Sequence, residues 1–282
     1  MSSRVNAHAP DSPIAADLIG SKRPLIIGHR GYCEFAPENT LPSFELALAA
    51  GVDLVELDYR QTKDGELVVI HDPFLDRTTD VRKRWRKRRV RVTTRTAAEI
   101  QHLDAGIRFG SHFVGAKIPL LREALDTIQR SSITLIERKA GDAASLLSLL
   151  YEKHLINKVV VQSFDWEFLR ELHHLEPKLF LGALGPPTRL PGNRRPLRLH
   201  RDFSAKRLRQ LQMSGAKIVV WDRKISRRGV LRAHAHGLKV WVYTVNDPRL
   251  ANRLFDRGVD GVITNNPALL WKTVALRQNH PE

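Results

Sequence analysis

The sequence predicts a (β/α)8 barrel with one long insertion between the second barrel strand and its helix. Three observations carry that expectation. Eight short apolar runs, most of them rich in β-branched residues, recur along the 282 residues. Stretches with helical spacing separate them, and a single interval, 60–119, breaks the rhythm. The runs lie at 25–27, 54–57, 133–136, 159–161, 179–181, 218–221, 240–243 and 261–263. Alternation of short buried strands with helices argues for parallel strands joined by crossovers. Eight such units fit a closed barrel better than an open sheet.

Helical spacing is found at 41–50, 143–153, 166–174, 205–213, 229–236 and 248–257. Asn246-Asp247-Pro248 and Asn266-Pro267 place a capping residue before a proline suited to a first helical turn. Within the insertion, Lys63-Asp64-Gly65 reads as a turn and 66–71 as a further short strand. Residues 1–22, with two prolines and the acids Asp11 and Asp17, lack the apolar core of a secretory signal. They are expected to form a flexible lead to a barrel that occupies 23–282. No run approaches the roughly 20 apolar residues of a membrane-spanning helix.

Cys33 is the only cysteine, which excludes an intrachain disulfide and a cysteine-based zinc site. Both points favour a reducing, cytoplasmic setting. The formal charge of +16 is unusual. Nine of those charges fall in one stretch, 82–95, and without them the balance is +7. Such a field attracts polyanions and anionic membrane surfaces and speeds the encounter with phosphate substrates. The stretch is expected to be either a solvated loop or a site of peripheral contact with anionic lipid, with Trp85 entering the interface. Nucleic-acid binding has less support, because one aromatic offers little base stacking. A second basic stretch, 189–209, adds to the field.

The chemistry concentrates at strand ends. In Asp53-Leu54-Val55-Glu56-Leu57-Asp58 the side chains of Glu56 and Asp58 share one face. Two carboxylates facing a barrel interior repel each other and require a cation. At the end of the following strand, Glu137-Arg138-Lys139, the same alternation turns Glu137 and Lys139 inward and Arg138 outward. Neighbouring strands are about 5 Å apart, so Glu137 reaches the same ion. Three carboxylates form a hard oxygen site suited to one divalent cation, Mg2+ or Ca2+. His29, at the end of the first strand, and His71, before Asp72, flank this cluster. One imidazole can remove a proton while the other supplies one to a leaving alkoxide. Arg30 and Lys139 offer positive charge to the non-bridging oxygens of a phosphodiester.

His29-Arg30-Gly31, Glu38-Asn39-Thr40, Glu56-x-Asp58, His71-Asp72 and Glu137-x-Lys139 occur in that order. Together they resemble the successive motifs of the glycerophosphodiester phosphodiesterase family, and the similarity extends from Pro24 to about Pro267. The resemblance implies a barrel with an insertion after its second strand. It also implies hydrolysis of glycerophosphodiesters to an alcohol and glycerol phosphate with Mg2+ or Ca2+. By motif, Glu56, Asp58 and Glu137 are the metal ligands, His29 and His71 the acid–base pair, and Arg30 and Lys139 the phosphate-binding residues. Glu38 orients the site or lies near the ion. The same resemblance implies that the glycerol hydroxyl attacks phosphorus first, giving a cyclic phosphate that water opens. Trp241, in a later matching segment, is expected to wall the glycerol carbons.

The chain departs from many family members after Arg77-Thr78-Thr79, where the basic stretch replaces a glycine-containing loop. Two other readings remain open. One is a lysophospholipase D-like enzyme acting on lysophospholipids. The other is a non-catalytic basic barrel that binds polyanions or membranes. Glu38 also has a purely structural reading, as part of a helix start capped by Asn39 or Thr40.

Overall fold

The computed structural model describes residues 14–186 and 203–279. Among the described residues are nine strands: β1 (Leu25–Gly28), β2 (Leu54–Gln61), β3 (Leu67–Val69), β4 (Ile133–Arg138), β5 (Val159–Ser163), β6 (Phe180–Gly185), β7 (Ile218–Asp222), β8 (Lys239–Tyr243) and β9 (Gly261–Thr264). All but β3 run parallel and follow one another around a closed ring. Closure is made by β1, where Ile27 pairs with Leu54 of β2 on one side and Ile263 of β9 on the other. The eight-stranded barrel expected from the sequence is therefore present.

Strand alternation sorts the core into two shells. Leu25, Ile27, Leu54, Leu135, Val220 and Trp241 pack inside the ring. Ile26, Val55, Leu57, Ile136, Val161 and Val242 face the surrounding helices. Ala15–Ile19 forms a short helix whose Ala15, Leu18 and Ile19 pack against the interior cluster. Ala15 N–H also donates to Asn157 O, just before β5, at 2.8 Å. This helix closes the amino-terminal end of the barrel, so residues 14–22 are not the free lead expected. Covering the open bottom removes apolar side chains from water. The first thirteen residues and 187–202, with most of the second basic stretch, lie outside the described residues.

The insertion has a core of its own. β3 pairs antiparallel with the end of β2, Tyr59 opposite Val69. Behind it Val68, Ile70, Leu75, Val81, Val92 and Ile100 form a separate buried cluster. Two carboxylates tie its loops together. Asp76 accepts from Arg89 N and Val90 N at 2.9 and 3.1 Å. Asp104 accepts from Gly106 N, Ile107 N and Gly115 N at 2.8, 2.9 and 2.7 Å. The basic stretch is held by Asp76 at Arg89 and Val90, and Arg95 O accepts from Lys63 N–H at 2.8 Å, so it is not a free loop. Trp85 is half-buried against this cluster beneath the Arg95 guanidinium, 5.0 Å from its ring.

Burial opposes ionisation of Asp104, but its three amide donors prevail and lower its pKa. Asp104→Ala leaves those donors unsatisfied and should destabilise the chain by about 2–3 kcal/mol in urea unfolding. A depressed folded pKa means that the carboxylate stabilises at neutral pH and loses this effect as pH falls. The gap between the two proteins should narrow below about pH 3.9, the unfolded value. An unchanged unfolding midpoint at neutral pH would remove Asp104 as the tie.

Candidate active site

The carboxylates converge as strand alternation requires. Asp58 of β2 pairs in register with Glu137 of β4, and Glu56 lies two residues before Asp58 on the same face. Oxygens of Glu56, Asp58 and Glu137 all lie within 4.8 Å of one another, and all three residues are buried. Burial drives the pKa of Glu56 well above the usual carboxylate range, reinforced by repulsion from Asp58 and Glu137. Burial and Asp58 likewise push Glu137 up to about 7, against the pull of Lys139. For Asp58 burial is again the largest influence, but Lys139, Arg30, His71 and Asn39 outweigh it and lower the pKa.

The cationic partners come from the two flanking strand ends. Lys139 Nζ contacts Glu137 Oε1 and lies 3.2 Å from Asp58 Oδ1. Asp58 Oδ1 accepts no well-directed hydrogen bond, and neither does the buried Oε1 of Gln162, which faces the same cavity. Arg30 Nε is 3.2 Å from Asp58 Oδ2, and Arg30 N–H donates to Glu56 Oε2 at 2.8 Å. Unfilled oxygen acceptors beside mutually repelling buried carboxylates fit a divalent cation, and an all-oxygen set fits Mg2+ or Ca2+.

The turn after β1 has an unusual backbone that sets this geometry. Arg30 has φ 52° and Gly31 φ 86°, and a β-carbon on Gly31 would lie 2.7 Å from the Ser43 carbonyl. Only glycine permits that approach. Asn39, at φ 59°, donates Nδ2–H to Asp58 Oδ2 and accepts from Asp58 N, at 2.8 and 3.1 Å. Asn39 therefore holds the ligand strand rather than capping a helix. Thr40 occupies the N-cap of the Leu41–Ala49 helix without a side-chain cap, its hydroxyl donating to Pro37 O.

Both histidines are anchored through Nδ1. His29 Nδ1 is 2.6 Å from Asn265 Oδ1, and His71 Nδ1 is 2.7 Å from Asp72 Oδ1. Each partner is an acceptor, so the proton is assigned to Nδ1 and Nε2 is left for chemistry. Burial, with Arg30 adding to it, lowers His29 to about 4. Burial also lowers His71. Burial opposes the ionisation of Asp72, but its bonds to Arg77 and His71 bring it down to about 2. Arg77 bridges Asp72 and Glu38, and Glu38 in turn accepts from Arg30 at 2.8 Å. Glu38 is thus placed at the rim, clamped between two arginines.

Two cavities meet at His29 and Arg30. One, of about 320 Å3, is lined by Glu56, Glu137, Lys139, His71, Phe164 and Tyr243, among others. The other, of about 340 Å3, extends past Glu38 to Cys33, Arg77, Arg108 and Phe109. Trp241 lines neither cavity. It is 1% exposed inside the barrel, with its ring against Gly261. Tyr243, two residues nearer the strand's carboxyl end, forms the wall expected of Trp241, fixed by its hydroxyl donating to Gly185 O at 3.0 Å. Arg138 turns outward as expected, 2.8 Å from Asp165 and stacked on Phe168. Asn265 and Tyr243 were not singled out by sequence. Tyr243 lies in the same family-like segment as Trp241, and both residues sit at or just beyond the carboxyl ends of β8 and β9, where barrel sites gather.

Residues 29–269 match the family model described as glycerophosphoryl diester phosphodiesterase family. The chain belongs to that family. It is 32% identical over 285 residues to glycerophosphodiester phosphodiesterase of Bacillus subtilis, covering 93% of this chain and 91% of the relative. It is also 32% identical to the enzyme of that name from Caldanaerobacter subterraneus, covering 89% and 97%. The fold superimposes on an Oleispira antarctica phosphodiesterase in complex with the product sn-glycerol-3-phosphate. That match has TM-score 0.77, 25% identity, and covers 90% of this chain and 97% of the other. The glycerophosphodiester phosphodiesterase of Agrobacterium tumefaciens matches with TM-score 0.72 and 28% identity, covering 88% and 98%. In this family member the turn at Gly31 places the Arg30 amide against Glu56. Gly31→Ala should lower stability by at least about 2 kcal/mol in urea unfolding, from the left-handed φ and the Ser43 clash together. An unaltered midpoint would show that the turn relaxes freely.

Proposed function

We propose that this chain hydrolyses glycerophosphodiesters to an alcohol and glycerol phosphate, using one divalent cation, Mg2+ or Ca2+, and two histidines. The observation that carries this reading is the balance of charge at the barrel mouth. Three buried carboxylates face two cationic side chains, Arg30 and Lys139. With all three ionised, that set repels a phosphodiester. A divalent ion makes it positive by one charge, the complement of a single phosphodiester anion.

Glu56, Asp58 and Glu137 would hold the ion, which when bound supplies Lewis-acid polarisation of a phosphoryl oxygen. Lys139, which lies against Asp58 and Glu137, would turn its ammonium to phosphate beside Arg30 when those carboxylates hold the ion. His71, paired with Asp72, has the partner that stabilises an imidazolium, and takes the proton of the attacking glycerol hydroxyl. The new P–O bond forms as the bond to the alcohol breaks, and the departing alkoxide takes a proton from His29. The phosphodiester anion favours the protonated His29 ring that this step needs. Water then opens the cyclic phosphate, with the histidines exchanging roles. Tyr243 and Phe164, in edge-on contact at 6.2 Å between ring centres, wall the cavity for the glycerol carbons.

The same reading extends to the insertion. Lys83, Arg86, Lys87 and Arg88 are exposed, and Arg89 and Arg91 stack on Phe74; none has a carboxylate partner among the described residues. The protein is proposed to make peripheral contact with anionic phospholipid through this fixed platform, in a cytoplasmic setting. No helix among the described residues is long and apolar enough to cross a membrane. Lysophospholipid turnover is less favoured, because the second cavity has three arginines in its wall rather than a long apolar groove.

Chelation should abolish hydrolysis of glycerophosphodiesters, and Mg2+ or Ca2+ should restore it in wild type but not in Glu56→Gln. His29→Ala or His71→Ala should lower kcat about 10²–10⁴-fold. Full activity in chelator, or in either alanine variant, would refute the scheme. Co-sedimentation with phosphatidylglycerol vesicles should exceed that with neutral vesicles and fall as salt rises. Equal binding to both would eliminate the electrostatic contact.

A further inference from the structure

The cavity on the far side of His29 and Arg30 has a wall that the hydrolysis scheme leaves unexplained. Its charged groups are the guanidinium groups of Arg30, Arg77 and Arg108 and the single carboxylate of Glu38. Glu38 is already shared between Arg30 and Arg77, at 2.8 and 2.7 Å. Arg108 has no carboxylate partner among the described residues. Its Nε–H donates to Thr79 O at 2.9 Å, which anchors this exposed side chain at the cavity wall with its terminal nitrogens uncommitted among the described residues. Cys33 adds no negative charge, since burial pushes its thiol up to about 12. Phe109, Pro37 and Ala105 supply apolar surface beside these cations.

The arrangement differs from that of the catalytic cavity, where carboxylates are close at hand. A cationic alcohol such as choline would meet unopposed positive charge here and no free carboxylate. An alcohol bearing its own anionic group would find a guanidinium fork free for paired hydrogen bonds. The two cavities share His29, and a diester with its phosphorus near the carboxylates reaches the second cavity only with the arm that leaves past that histidine. The walls of the catalytic cavity come mainly from barrel strand ends, whereas Arg77, Thr78, Ala105, Arg108 and Phe109 all belong to the insertion.

We infer that this second cavity receives the departing alcohol and selects alcohols that carry a phosphate or carboxylate, with Arg108 as the specificity-determining residue. The inference rests on the hydrolysis proposed above and specifies its substrate class. The local charge, not the overall +16, is responsible, so changing one side chain alters the preference.

The test is a charge series on a constant glycerophosphate arm. The head groups are choline, glycerol, and glycerol carrying a terminal phosphate monoester, each assayed with Mg2+ for kcat/KM. Wild type should prefer the phosphorylated head over choline by about tenfold or more, one such step being about 1.4 kcal/mol. Arg108→Glu should bring that ratio to unity or below, and Arg108→Lys should retain most of it. Because the ratio is taken within one enzyme preparation, partial loss of folded protein cancels. If wild type turns over all three head groups without preference, or favours choline, the inference fails and the hydrolysis stands. The same holds if Arg108→Glu leaves the ratio unchanged. If wild type turns over none of them, the hydrolysis itself fails, and this inference with it.

Discussion

Three carboxylates held in a buried pocket by two neighbouring strands are the constraint on which the rest of the site depends. Mutual repulsion and burial both oppose their ionisation, and Glu56 and Glu137 show the strain as raised pKa values. The surrounding structure answers this with direct positive charge from Arg30 and Lys139 and with the Asn39 amide on Asp58. Arg30 has a further series of anchors. Arg30 is held by Glu38, Glu38 by Arg77, and Arg77 by Asp72, which also orients His71. The chain of ion pairs joins the first strand, the insertion and the catalytic cavity into one electrostatic unit.

The barrel makes this placement possible at low flexibility. In a closed ring no strand can slip without moving its neighbours, so the register that sets Asp58 opposite Glu137 is fixed by the pairing of all eight barrel strands. Below the polar mouth the interior is filled by Leu25, Leu135, Val220 and Trp241 and closed by the Ala15–Ile19 helix. Water is therefore kept from the underside of the carboxylates, and Glu56 and Glu137 open only to the cavity at the mouth. The insertion adds what the barrel lacks. It carries His71, Asp72 and Arg77 to the rim and builds the outer cavity from a separate small core.

The parts of this arrangement governed by alternation along a strand were legible from sequence. Glu56 and Asp58 face inward with Glu137, and Arg138 turns out to Asp165, because side chains alternate with a fixed period. Depth along a strand was less legible. Trp241 and Tyr243 share one face, and alternation cannot tell which reaches the cavity and which fills the barrel; the position of the strand's carboxyl end decides it. Contacts between distant segments were least legible. Asn265 reaches His29 across 236 residues, and Asp76 orders a basic stretch that composition alone leaves as a loop. Asn39 reads locally as a helix cap, yet its amide is committed to Asp58, a tertiary bond overriding a local preference.

The most direct test is diffraction from crystals soaked in Ca2+, compared with crystals grown in chelator. The account predicts one ion about 2.3–2.6 Å from oxygens of Glu56, Asp58 and Glu137, with the Lys139 ammonium displaced from between Asp58 and Glu137. Crystals in which Lys139 still bridges those carboxylates, with no ion among them at saturating Ca2+, would contradict it.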